Sequence, residues 1–157
     1  MWSRRGVVAL LLGLVACAAP SARAPERAAL AFGLVVEDAA APAREWPHWD
    51  GGGRWSVPAG FVWRLETPLL GCRVLEAAPA LDARGTPCVR VRLAPEDAAR
   101  LRALSERGLG RRLAVLVDGR VVCAPRLGEP LAAERLELSA NFAQAEVDAL
   151  LALLRPR

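Results

Sequence analysis

The spacing of apolar residues changes several times along the chain, and each change predicts an element. Phe32–Val36 is a short apolar stretch suited to a first strand, and Phe61–Glu66 alternates enough for another. Cys72–Glu76 reads as a short strand, and Leu81–Pro87 as a loop. Cys88–Leu93 alternates cleanly, with Val89, Val91 and Leu93 on one face and Cys88, Arg90 and Arg92 on the other. That is the pattern of a half-buried strand. Leu113-Ala114-Val115-Leu116-Val117 has no alternation, which suits a central strand covered on both faces. Asp118-Gly119 then predicts a two-residue hairpin turn, with Arg120–Ala124 as the returning strand. Arg135–Ser139 alternates again, with Leu136 and Leu138 inward.

Two segments carry helical spacing. The first opens at Pro95, with Glu96 and Asp97 opposing the positive end of the helix dipole. Ala98, Leu101 and Leu104 form its stripe, and Gly108 marks its end. The second presents Ala143, Val147, Leu150, Leu151 and Leu154, with Asn141 as the expected cap and Gln144 in the reciprocal position. The order strand, strand, helix, strand, turn, strand, strand, helix predicts an α+β fold. Its sheet is mixed or antiparallel, with two helices on one face.

The amino terminus has a different logic. Met1–Arg5 is short and basic, and Gly6–Ala16 is an unbroken apolar run. Such a run is too short to span a bilayer comfortably but suits the core of a signal peptide. It ends in Leu14-Val15-Ala16-Cys17, which resembles the lipobox of bacterial lipoproteins. The expectation is a signal peptide over 1–16, lipidation at Cys17, and a tether over 17–31 before a single domain at 32–157. Ala18 stands where an Asp would retain such a protein at the inner membrane, so the resemblance implies an outer-membrane anchor where that membrane exists. The protein would then face the periplasm.

Composition changes the picture in one respect. The formal net charge is +4, and all 21 cations are Arg. Lys, Ile and Tyr are absent, which points to a GC-biased genome rather than to phosphate recognition. Arg4 and Arg5 leave with the signal, so the mature chain is nearly balanced and a nucleic-acid partner is not expected. At 54% hydrophobic and 24% charged, the chain is not of the disordered class.

The carboxyl half resembles the head subdomain of the first periplasmic domain of SecD/SecDF protein-export subunits. The resemblance is carried by Val89–Ala98, by Gly110–Pro125, and by Leu136–Phe142 with Ala145–Leu150. The hairpin with its Asp-Gly turn, ending in Ala124-Pro125, is the most telling piece. Together these stretches cover residues 71–155. The resemblance implies a head-like fold and contact with unfolded polypeptide near the Sec machinery. It does not imply transport, which in that family also needs transmembrane helices.

Candidate chemistry is sparse. Trp46, Trp49, Trp55 and Trp63 are either a partner-binding surface or core filling. His48, the single histidine, lies between Glu45 and Asp50 and reads more simply as a loop residue than as an acid–base group. Three cysteines remain beyond Cys17. Cys72 and Cys88 are the preferred disulfide pair, and Cys123 is left over. The alternative is a small envelope enzyme or redox protein using Cys123 or His48; Cys123 or Cys88 with His48 would be one such thiol pair. Gly51-Gly52-Gly53 lacks the residues of a phosphate loop. No metal or cofactor is expected. The function expected is non-catalytic: a membrane-anchored envelope protein that binds extended polypeptide or another envelope protein, with a role accessory to export.

Overall fold

A computed structural model describes residues 29–50, 57–131 and 134–155. The signal segment, Cys17 and Trp55 lie outside the described residues. In chain order the elements are β1 (Leu30–Leu34), β2 (Arg44–Pro47), β3 (Val62–Leu65), β4 (Leu70–Cys72), β5 (Val74–Leu81), β6 (Pro87–Leu93), α1 (Pro95–Arg107), β7 (Leu113–Val117), β8 (Arg120–Cys123), β9 (Arg135–Leu138) and α2 (Gln144–Leu154).

The α+β class holds, with two helices and antiparallel strand pairs. The strands divide into three sheets: β4-β1-β7-β8, the hairpin β2-β3, and β5-β6-β9. β7 lies inside the first sheet and all its residues are buried. One face of this sheet presents Phe32, Leu34, Val115 and Val117 to Val89 and Val91 of β6, Leu101 of α1, and Val147, Leu150 and Leu154 of α2. The other face presents Ala31, Ala114, Leu116 and Val121 to Trp46 and Leu65 of the hairpin. Burial on both sides is why β1 and β7 read as continuous apolar runs. Asp118 and Gly119 take φ of 48° and 75°, the left-handed pair that a tight hairpin turn requires.

Four details differ from expectation. β1 begins at Leu30, so Leu30 and Ala31 are core residues rather than the end of the tether. β2 was not expected, because Arg-Glu-Trp-Pro shows no alternation by itself. The strand expected over Cys72–Glu76 is two strands, β4 and β5, which belong to different sheets. The cap of α2 is Ala143, not Asn141, and Glu146 accepts the Ala143 amide at 2.6 Å. Ala143 has no acceptor to return, so Glu146 supplies the side-chain half alone. Asn141 instead takes φ 54° in the preceding turn.

The expected Cys72–Cys88 disulfide is not formed; Cys72, Cys88 and Cys123 are free and buried. Cys72 ends β4, one residue before β5 begins opposite Leu93. Cys88 lies at the far end of β6, opposite Ala80. Five residues of strand separate Cys88 from Leu93, or roughly 15 Å. A disulfide needs Cα atoms within about 7 Å.

Candidate functional site

The hairpin β2-β3 crosses one face of the four-stranded sheet and carries the aromatic residues. Trp46 and Trp63 are direct cross-strand partners. Trp46 is 9% exposed and belongs to the core beneath the hairpin, with the Arg44 guanidinium 5.1 Å from its ring centroid. Trp63 is half-buried, edge-on to Phe61 at 5.1 Å, and donates its indole N–H to His48 Nδ1 at 3.2 Å. Trp49 is half-buried against the main core, edge-on to Phe142 at 6.2 Å. Among the described residues, the tryptophans therefore do not form one surface. Trp46 is removed from the partner surface, and that reading narrows to Trp49 and Trp63 among the described residues.

His48 is a junction. Its amide donates to the Phe61 carbonyl, and it forms a parallel bridge to Val121 of β8. Because Nδ1 accepts from Trp63, the neutral ring carries its proton on Nε2. Burial lowers its pKa below the ordinary value, and Asp50 opposes that shift. Cys123 cannot serve as its thiol partner. A bulge in β8 shifts the register between Val121 and Cys123. Val121 stays in the core under the hairpin, while Cys123 joins the core on the opposite face. Burial pushes the Cys123 thiol up to about 12, far from a nucleophilic thiolate at neutral pH. Burial, reinforced by Asp97, holds Cys72 at about 12 as well. Cys88 is raised by burial and then by Glu137 and Asp82. Among the described residues, no group of three or more His, Cys, Asp and Glu is placed to hold a metal ion.

Two features are placed by the structure and not by the sequence. The first is the outer edge of β5, which pairs with β6 on one side and with no strand on the other among the described residues. It offers eight residues of backbone, about 25 Å, with α2 across its inner face. Glu76, Pro79 and Leu81 are exposed along it. The second is an open groove of about 860 Å³ at the carboxyl end of β1, lined by Val36, Glu37, Ala41, Arg44, Glu66 and Arg111. Arg111 holds Glu66 at 2.7 Å and donates to the Val35 carbonyl, while Arg64 ties down the carbonyls of Asp38 and Ala41. The groove is built from satisfied ion pairs, and sequence spacing gives no sign of it because its walls come from four separate segments.

A family model described as the SecDF P1 head subdomain matches residues 57–156. The chain belongs to this family. The SecDF head match takes in β3 and β4 as well as the segment 71–155 that carries the sequence resemblance. SecD of Acidaminococcus fermentans is 30% identical over 90 residues, covering 57% of this chain and 22% of that protein. SecD of Desulfurispirillum indicum is 31% identical over 96 residues, covering 60% and 19%. The chain thus spans about a fifth of the length of these SecD relatives. A solved structure of SecDF, described as a membrane component that enhances protein export, superposes with a TM-score of 0.55 at 21% identity. It covers 83% of this chain and 62% of that one. SecDF in a super-membrane-facing form gives 0.59 at 19% identity, covering 83% and 19%. These likenesses establish the head-type fold. Among the described residues no helix is long and apolar enough to cross a membrane.

Proposed function

We propose that this chain is a lipid-anchored envelope protein whose SecDF-head domain binds extended polypeptide or another envelope protein without catalysis, as an accessory to protein export. Family membership over residues 57–156 carries the proposal. The open edge of β5 supplies its physical route. A polypeptide segment adding to that edge as a further strand would be held by main-chain hydrogen bonds, with little dependence on its sequence. Pro79 has no N–H to give, so it interrupts the edge and protects it against uncontrolled pairing. The lipobox at Leu14–Cys17 supports the anchor and a periplasm-facing position. A Cys123–His48 pair has no support, since Cys123 packs in the main core with its thiol held protonated, whereas His48 bridges the edge of β8 and accepts from Trp63 of the hairpin.

Photo-crosslinking in cells tests this. A photoreactive residue at Pro79 or Leu81 should capture precursors arrested in translocation. Capture of mature envelope proteins alone removes the export role, and capture of nothing by a folded, anchored chain removes the binding role. Replacing Cys17→Ser should release the protein from membranes; if it stays bound, the anchor is elsewhere.

A further inference from the structure

Pro58-Ala59-Gly60-Phe61-Val62 is an exposed run without one charged or polar side chain, in a chain that is 24% charged. The Phe61 amide closes the turn on the Pro58 carbonyl, and Gly60 takes φ 78° within it. Phe61 and Val62 are 37% and 42% exposed, and Val62 faces the exposed Pro47 across the hairpin. On the neighbouring strand end, Asp50 and Arg120 pair at 3.1 Å. Among the described residues, Phe61 and Val62 are the exposed large hydrophobics adjacent in sequence, whereas Leu81, Leu109 and Leu153 stand singly.

The position of this turn says what it meets. From Phe61 the backbone contacts lead to His48, then Val121, Leu116 and Ala31, the second residue of β1. Four steps of strand spacing amount to about 20 Å. At the same end, the Asp118 amide donates to the Ala29 carbonyl, where the chain enters the domain. The apolar turn and the point of attachment to the amino-terminal segment therefore share one end of the sheet. Ion pairs dominate the opposite end: Glu66 with Arg107 and Arg111, and Glu37 with Arg126. Between Cys17 and Ala29 lie about a dozen residues, with a reach of at most roughly 40 Å. A chain held to a bilayer at Cys17 keeps this end within reach of the lipid.

We propose that the turn Pro58–Val62 is a membrane-interface contact, seating Phe61 and Val62 among lipid headgroups and upper acyl chains beside the anchor. The proposal rests on lipid anchoring at Cys17. Aromatic and apolar side chains favour that zone, and a contact there fixes the orientation of the anchored domain. The domain would then stand on this end and point its ion-paired end away from the membrane.

Because Cys72, Cys88 and Cys123 are buried, and Cys17 is acylated in one form and replaced in the other, a thiol introduced at the surface is labelled selectively. Val62→Cys and Leu109→Cys place an environment-sensitive fluorophore on the apolar turn and on the opposite end, where Leu109 is 48% exposed. The full chain is measured on vesicles of phosphatidylethanolamine and phosphatidylglycerol containing brominated lipid. Two anchored forms are compared: the natural one, and a Cys17→Ser chain held at its amino terminus by a histidine tag on a nickel-chelating lipid. The expected result is quenching at position 62 at least about twofold stronger than at 109 in both forms. Equal, water-like signals from both labels on protein that floats with the vesicles overturn the proposal. If the natural form does not float, the lipoprotein reading fails, and the tagged form still decides the contact.

Discussion

The joint between β4 and β5 depends on one carboxylate, and its removal should be costly. Asp97 is buried in the first turn of α1 and accepts the Arg73 amide at 2.7 Å. The Arg73 carbonyl in turn accepts the Ala94 amide, so the start of α1 and the strand joint clasp each other. A hydrogen bond to a charged acceptor contributes about 1.5–3 kcal/mol, and an acid at a helix N-terminus adds about 0.3–1 kcal/mol. Arg100 also reaches Asp97 at 3.1 Å, but its side chain is 61% exposed, so that ion pair contributes about 0.5 kcal/mol or less. Asp97→Ala should therefore cost about 3 kcal/mol, Asp97→Asn about 1 because an acceptor remains, and Arg100→Ala less than about 0.5. Urea unfolding of the Cys17→Ser chain at pH 7 measures this. With a slope near 1.5 kcal/mol/M, the Ala variant loses about 2 M in midpoint. Equal losses from Asp97→Ala and Arg100→Ala would refute the reasoning, because they would place the energy in the exposed ion pair.

Further expectations follow from the same geometry. His48 has a lowered folded-state pKa, so its contribution is complete above the unfolded value of about 6.5 and is lost as pH falls toward the folded value. The urea midpoint should fall between pH 7.5 and 5.5, and His48→Gln should flatten that dependence; an unchanged slope would contradict the neutral, Trp63-bonded ring. Iodoacetamide at pH 8 should leave Cys72 and Cys123 unmodified until urea unfolds the chain, since thiols held at about 12 are almost wholly protonated; rapid native labelling at either would show an open core. Gly33→Ala would place a Cβ 2.6 Å from Leu69 Cδ2, inside a core also bounded by Leu65. Calorimetry should register a loss of about 1–3 kcal/mol, and wild-type stability would mean that β1 and the segment before β4 are not packed this way.

What was legible in the sequence follows the range of the forces involved. α1 declared itself through Pro95, its acidic first turn and Gly108, all within its own length. β7, β8 and their turn did so through an apolar run and Asp118-Gly119. β2 was hidden because its strand character comes from pairing with β3, which lies beyond a long loop. The division between β4 and β5 depends on which distant strand each meets, and Arg73 alone separates them. The same limit governs the candidate sites. Adjacency in sequence leaves the tryptophans open as a partner surface or as core filling; alternation across the hairpin buries Trp46, and Trp49 turns toward Phe142. The open edge of β5 depends on sheet order, which no local pattern encodes.

Amide hydrogen exchange on the folded chain, with and without a permanently unfolded polypeptide, tests the binding claim most directly. Strand addition predicts new protection at the outward amides on either side of Pro79, those of Ala77 and Leu81, with β9 and α2 unchanged. Binding of the polypeptide with no added protection in β5, or with protection confined to another surface, would contradict it.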